Sequence, residues 1–114
     1  MNRRLVSAIA ALFCAISVAL GAYAAHAADP QARLRLGLAA AFGFGHGLAL
    51  LALRTREGGL AIAVRAGFIA GTIFFSGSLA GAALLGLPTV LAPIGGTVLI
   101  LAWLLAAAEL LRKE

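Results

Sequence analysis

Apolar residues fall in four long runs, at 5–25, 36–53, 66–87 and 93–111, uncharged but for Glu109 in the last turn of the fourth, with a shorter apolar piece at 60–64 ahead of the third. None alternates with polar residues as a half-buried strand would. Each approaches the roughly 20 residues that an α-helix needs to cross a bilayer. The pattern predicts one domain over residues 1–114 built from four transmembrane helices, at about 5–27, 36–53, 62–87 and 93–111. A β-barrel is excluded, because its strands would alternate in polarity.

The breaks between runs have local causes. Asp29-Pro30 starts a turn, Gly58-Gly59 follows a charged loop, and Leu87-Pro88 opens a short connection. Pro93 suits the first turn of a helix, where its missing N–H costs nothing. Arg65, between that shorter piece and the third run, can extend its head back to the interface.

Composition turns these runs into a class. The chain is 63% hydrophobic and 11% charged, with a mean hydropathy of +1.07. A water-soluble fold of this size could not bury that much apolar surface in its own core. The expected fold class is all-α integral membrane: an antiparallel bundle of four transmembrane helices, with membrane lipids as its surroundings.

The formal net charge of +5 raises the question of nucleic acid. The cations form no patch; they mark the ends of the apolar runs, and a nucleic-acid partner is not expected. Arg3, Arg4, Arg54, Arg56, Arg65, Arg112 and Lys113 fall on one side of the membrane. Arg33 and Arg35, partly offset by Asp29, fall on the other. Positive charge favours the cytoplasm, so both termini are expected inside, with Tyr23 near the outer interface.

Residues 20–30, "LGAYAAHAADP", read in two ways. Ala25-His26-Ala27 resembles a signal-peptide cleavage site preceding Ala28, and Arg3-Arg4 supplies the positive start. Against cleavage, the first run is longer than the roughly 7–15 residues of a signal core. It also carries a seam: Ala8, Ala15 and Ala22 recur every seven residues, as do Leu12, Ala19 and His26. Small residues on one face let helices approach closely in lipid, so this seam is expected to face the bundle.

Polar residues inside the runs carry the candidate chemistry. His46, flanked by Gly45 and Gly47, lies deep in the second run, where an ionisable group is expected to face the bundle interior or water. Gly43 and Gly47 form a small-xxx-small pair beside it. In the third run Gly67, Gly71, Ser78 and Ala82 align at helical spacing, and Ser78 lies at a depth similar to His46. An interhelical His46–Ser78 hydrogen bond, direct or through one water, is expected. Ser76 points elsewhere and is expected to bond a carbonyl of its own helix.

His26 is expected at the outer interface, level with Pro93, Ile94, Gly95 and Gly96, where a glycine-rich helix entry could take an anion or lipid headgroup. A histidine wetted at the interface needs no such ligand.

No metal site is expected, since the two histidines lie on different helices without a thiolate or carboxylate to complete a shell. No nucleophilic triad is visible either, because Asp29, Glu57, Glu109 and Glu114 lie in loops or at the inner ends. Glu109 is expected to pair with Arg112 or Lys113 at a solvated helix end, and Trp103 to pack on a neighbouring helix. The lone Cys14 is expected to pack as a small apolar residue.

"GAYAAHA" at 21–27, "FGHGLALLAL" at 44–53, "FFSGSL" at 74–79 and "APIGG" at 92–96, followed by Trp103, occur in that order. Together they resemble the YgdD-like small inner-membrane proteins, the domain of unknown function 423 (DUF423), over almost the whole chain. The resemblance implies a first segment retained as a helix and a bacterial inner-membrane location. It supplies architecture more than chemistry, and "AAAFGFG" at 39–45 replaces the polar and aromatic residues usual before the second histidine.

The functional expectation is a non-enzymatic, multi-pass inner-membrane protein without a cofactor. It would act by helix packing, as a homo-oligomer or with another membrane protein. The alternative is a small transporter or proton-conducting unit using His46.

Overall fold

The computed structural model describes residues 2–53 and 57–112. Arg54, Arg56, Lys113 and Glu114, named above among the inner-side charges, lie outside the described residues. Among the described residues the chain is all-helical: α1 (Arg3–His26), α2 (Pro30–Ala52), α3 (Gly59–Leu85) and α4 (Leu91–Leu111). All four are long and apolar enough to cross a membrane. The bundle measures 52 × 24 × 19 Å, its long axis set by the helix length.

Helix ends differ from expectation where capping side chains act. The Asn2 Oδ1 accepts from the Arg4 and Leu5 amides at 2.9 and 3.4 Å, so α1 begins two residues early. The Asp29 carboxylate accepts from the Ala32 amide at 3.0 Å, and Pro30 occupies the first helical position. That cap starts α2 six residues ahead of residue 36 and takes Arg33 and Arg35 into the helix, at their length able to reach the interface. At the end of α3, Gly86 adopts φ 69° and stops the helix before Pro88. The Gly86 and Leu87 amides then donate to the Ala82 and Gly81 carbonyls at 3.1 and 3.3 Å.

The helices form a zigzag row. α1 packs on α2, α2 on α3 and α3 on α4, while α1 touches α3 marginally and stays clear of α4. Arg3 Nε lies 3.7 Å from Glu57 Oε1, bringing the start of α1 and the approach to α3 to one end. Alternating helix direction carries the last turn of α4 to that same end.

Glycines set the two tightest seams. A Cβ on Gly47 would lie 2.7 Å from Cys14 Sγ and 2.8 Å from the Ala10 carbonyl oxygen, and one on Gly43 would run into Ser17 Oγ. Between α3 and α4, a Cβ on Gly95 would run into the Phe75 amide nitrogen and lie 2.8 Å from the Gly71 carbonyl oxygen. A Cβ on Gly71 would meet Leu99 Cδ2 at 2.7 Å, and one on Gly67 the Ala102 Cβ at 2.8 Å. Gly96 makes only an ordinary contact, 3.6 Å from the Phe75 ring. In lipid, where apolar contact with a tail is as good as with another helix, such close approach is a principal source of cohesion.

The expected seam of α1 is overturned. Ala8, Leu12, Ala15, Ala19, Ala22 and His26 are all exposed. The face on α2 is instead Val6, Ala10, Ser17 and Ala24, with Phe13 and Cys14 beside it. Both faces of α1 are apolar and small, so the heptad spacing alone did not choose between them.

Candidate functional site

His46 is buried, 6% exposed, at the centre of an aromatic cluster drawn from three helices. Its ring lies 6.0 Å from Phe42 on α2, 5.5 Å from Phe68 on α3 and 5.8 Å from Trp103 on α4. Phe68 and Trp103 pack at 4.6 Å, and Phe75 closes the group against Phe42 at 4.7 Å.

Both ring nitrogens are engaged. His46 Nδ1 lies 2.8 Å from the Phe42 carbonyl oxygen, and Trp103 Nε1 lies 2.9 Å from His46 Nε2. A carbonyl only accepts and an indole N–H only donates. Nδ1 therefore carries the proton and Nε2 accepts, which makes the imidazole neutral in this arrangement. A second proton on Nε2 would remove the acceptor that Trp103 uses.

The expected His46–Ser78 bond is not formed. Gly67 and Gly71 pack on α4, and Ser78, two turns after Gly71, shares their stripe and is turned from α2. Among the described residues, Ser78 Oγ is buried without a hydrogen-bond partner. Ser76 was expected to bond its own helix, but its Oγ is also buried and unpartnered, as is Thr72 Oγ1. Trp103 does more than pack, since it supplies the donor to His46. Its signal was available in the numbering: His46 lies six residues from the C-terminal end of α2 and Trp103 eight from that of α4, about 9 and 12 Å by helical rise.

Thr72 and Ser17 went unnoticed in the sequence. Ser17, Thr72 and Ser76 are at most 8% exposed and line one groove of about 370 Å³ between α1 and α3. Gly43 and Ala39 form its floor, and Phe13, Ile16, Leu20, Ile73 and Leu84 its walls. α1 and α3 barely touch, which leaves this groove between them.

His26 is exposed, and α1 does not approach α4, so His26 does not meet the Pro93–Gly96 segment. The cation beside that segment is Arg35, which lines a groove with Ala92, Pro93, Gly96 and Thr97. Arg33 instead donates from Nε and Nη2 to the Ala27 carbonyl oxygen at 3.1 and 2.9 Å, closing the end of α1. Glu109 is not a solvated end residue: it is 2% exposed and accepts from Arg112 Nη1 at 2.8 Å. Among the described residues, no group of three His, Cys, Asp or Glu side chains gathers as a metal shell would require.

A model of the family described as "Protein of unknown function (DUF423)" matches residues 20–96, more than half of the chain. The chain belongs to the DUF423 family. The match in this DUF423 protein takes in the end of α1, all of α2 and α3 and the opening of α4, and so includes His46 but not Trp103. No curated protein and no solved structure matches the chain.

Proposed function

We propose that this DUF423 protein is a non-enzymatic, multi-pass protein of a bacterial inner membrane. It works by packing against other helices in the bilayer, as a homo-oligomer or with another membrane protein. One observation carries the reading: the small-residue face of α1, with Ala8, Ala15, Ala19 and Ala22, lies outside its own bundle. Small residues let a second helix approach closely where lipid offers no hydrophobic driving force. α1 is an edge helix of an open row, and among the described residues nothing covers that face.

The alternative, a transporter or proton-conducting unit on His46, has less support. A relay needs a nitrogen free to take a proton, and here one holds a carbonyl and the other an indole.

Cysteine crosslinking in native membranes tests the proposal, in a Cys14→Ala background. Ala15→Cys and Ala22→Cys are expected to give a crosslinked dimer or a discrete adduct, and Leu104→Cys, on the exposed side of α4, is not. Equal crosslinking at all three positions, together with a monomer mass after gentle lipid extraction, would remove the reading.

A further inference from the structure

At the end of the bundle that holds Arg3 and Arg112, a cleft of about 360 Å³ opens between α1, α2 and α3. Its rim is Arg3 and Ser7 on α1 and Arg65 on α3; its floor is Val6, Leu50, Leu51 and Leu53. This is the size range of small-ligand sites, roughly 300–1,000 Å³.

The chemistry of the rim is unbalanced. Arg65 Nη1 is buried and has no hydrogen-bond partner among the described residues. Among the described residues Arg3 has only a long, exposed contact with Glu57 at 3.7 Å, of the kind that contributes little. A guanidinium N–H removed from water without an acceptor is costly, and more so beside hydrocarbon. The feature that would satisfy both arginines is an oxyanion at the rim, and the feature that would satisfy the floor is a short apolar extension below it.

We propose that the Arg3–Arg65 cleft binds the phosphate group of an anionic phospholipid, with the glycerol end of its acyl chains on Val6, Leu50, Leu51 and Leu53. The phosphate accepts from the two guanidinium groups, whose planar forks match its oxygens. α1 and α3 barely touch, so a lipid seated there ties the first helix to the third through two charges. The cleft is separate from the outer face of α1 that carries the association reading, and the two stand or fall independently.

The test uses the full chain purified in mild detergent, with bound lipid counted by native mass spectrometry. Phosphatidylglycerol and phosphatidylcholine are offered at equal concentration, with inorganic phosphate as a third arm. Wild type is expected to retain phosphatidylglycerol preferentially. Arg65→Gln and Arg3→Gln are each expected to reduce that retention roughly fivefold, the worth of one basic residue at an anionic surface. Arg33→Gln, a charge-matched change at the opposite end, is expected to leave it unchanged.

Equal retention of both lipids, or an equal loss in Arg33→Gln, overturns the proposal. Inorganic phosphate that displaces phosphatidylglycerol at millimolar concentration supports the oxyanion site but assigns it to free phosphate. If Arg65→Gln fails to fold by circular dichroism, the exposed Arg3→Gln decides alone.

Discussion

Trp103 donates its indole proton to His46 Nε2 across 2.9 Å, although no Cα of α4 comes within 8 Å of any in α2. The bond bridges the diagonal of the zigzag. It links α2 and α4, which backbone packing leaves apart, over the ring of Phe68 on the helix between them.

Removing either partner should therefore loosen α4 from α2. A double-mutant cycle with Trp103→Phe and His46→Phe is expected to give a coupling of about 0.6–2 kcal/mol in detergent unfolding. The parallel cycle of His46→Phe with Ser78→Ala is expected to be additive within about 0.5 kcal/mol. Coupling in the second cycle but not the first would reverse the assignment of the partner.

The tautomer has a direct spectroscopic signature. Nitrogen NMR of the labelled protein should show a protonated Nδ1 and an unprotonated Nε2 on His46, and Trp103→Phe should shift the Nε2 signal. In liposomes, proton flux is expected to be the same in wild type and His46→Phe. A flux that vanishes in His46→Phe with the fold intact would favour the conducting unit over the packing protein.

Glycines differ sharply in the room around them. Gly95→Ala would press a methyl into the backbone of Phe75, and is expected to cost about 1–3 kcal/mol as overpacking. Gly77→Ala meets nothing within 4 Å and is expected to stay within about 0.5 kcal/mol of wild type. Thermal unfolding of the two variants side by side checks the ranking.

Retention of α1 is expected from what it fills. Ala10, Cys14 and Ser17 lie against Gly47 and Gly43, a surface of α2 with no side chains of its own to close it. Intact mass is expected to include residues 1–27, and a protein isolated from membranes starting at Ala28 would contradict this packing.

Orientation is accessible to labelling in the Cys14→Ala background. Cysteines replacing Asn2 and Glu57 should react from the cytoplasmic side, and those replacing Ala28 and Thr89 from the opposite side. Reversed labelling would refute the inside placement of Arg3, Arg4, Arg65 and Arg112.

How far the sequence reaches can be judged from particular residues. Asp29-Pro30 and the glycines at 58–59 mark helix starts, because capping and backbone geometry are local, while Gly86 closes α3 before Pro88 and α4 begins at Leu91, two residues ahead of Pro93. The existence of four spans follows from the length of apolar chain a bilayer demands, and needs no partner to define it. Burial of His46 beside Gly43 and Gly47 was legible too, since an ionisable group avoids lipid.

Rotation of each helix about its own axis was decided only by the tertiary structure. A soluble helix shows its inner face by contrast with a polar outer one. Here Ala8, Ala15 and Ala22 face outward and Ala10, Ser17 and Ala24 inward, and lipid tolerates either set equally. For the same reason the stripe holding Ser78 turned toward α4, and Trp103 became the partner of His46. Which apolar surface meets which is settled by close fit and a few hydrogen bonds between helices, and neither has a local signature in the chain.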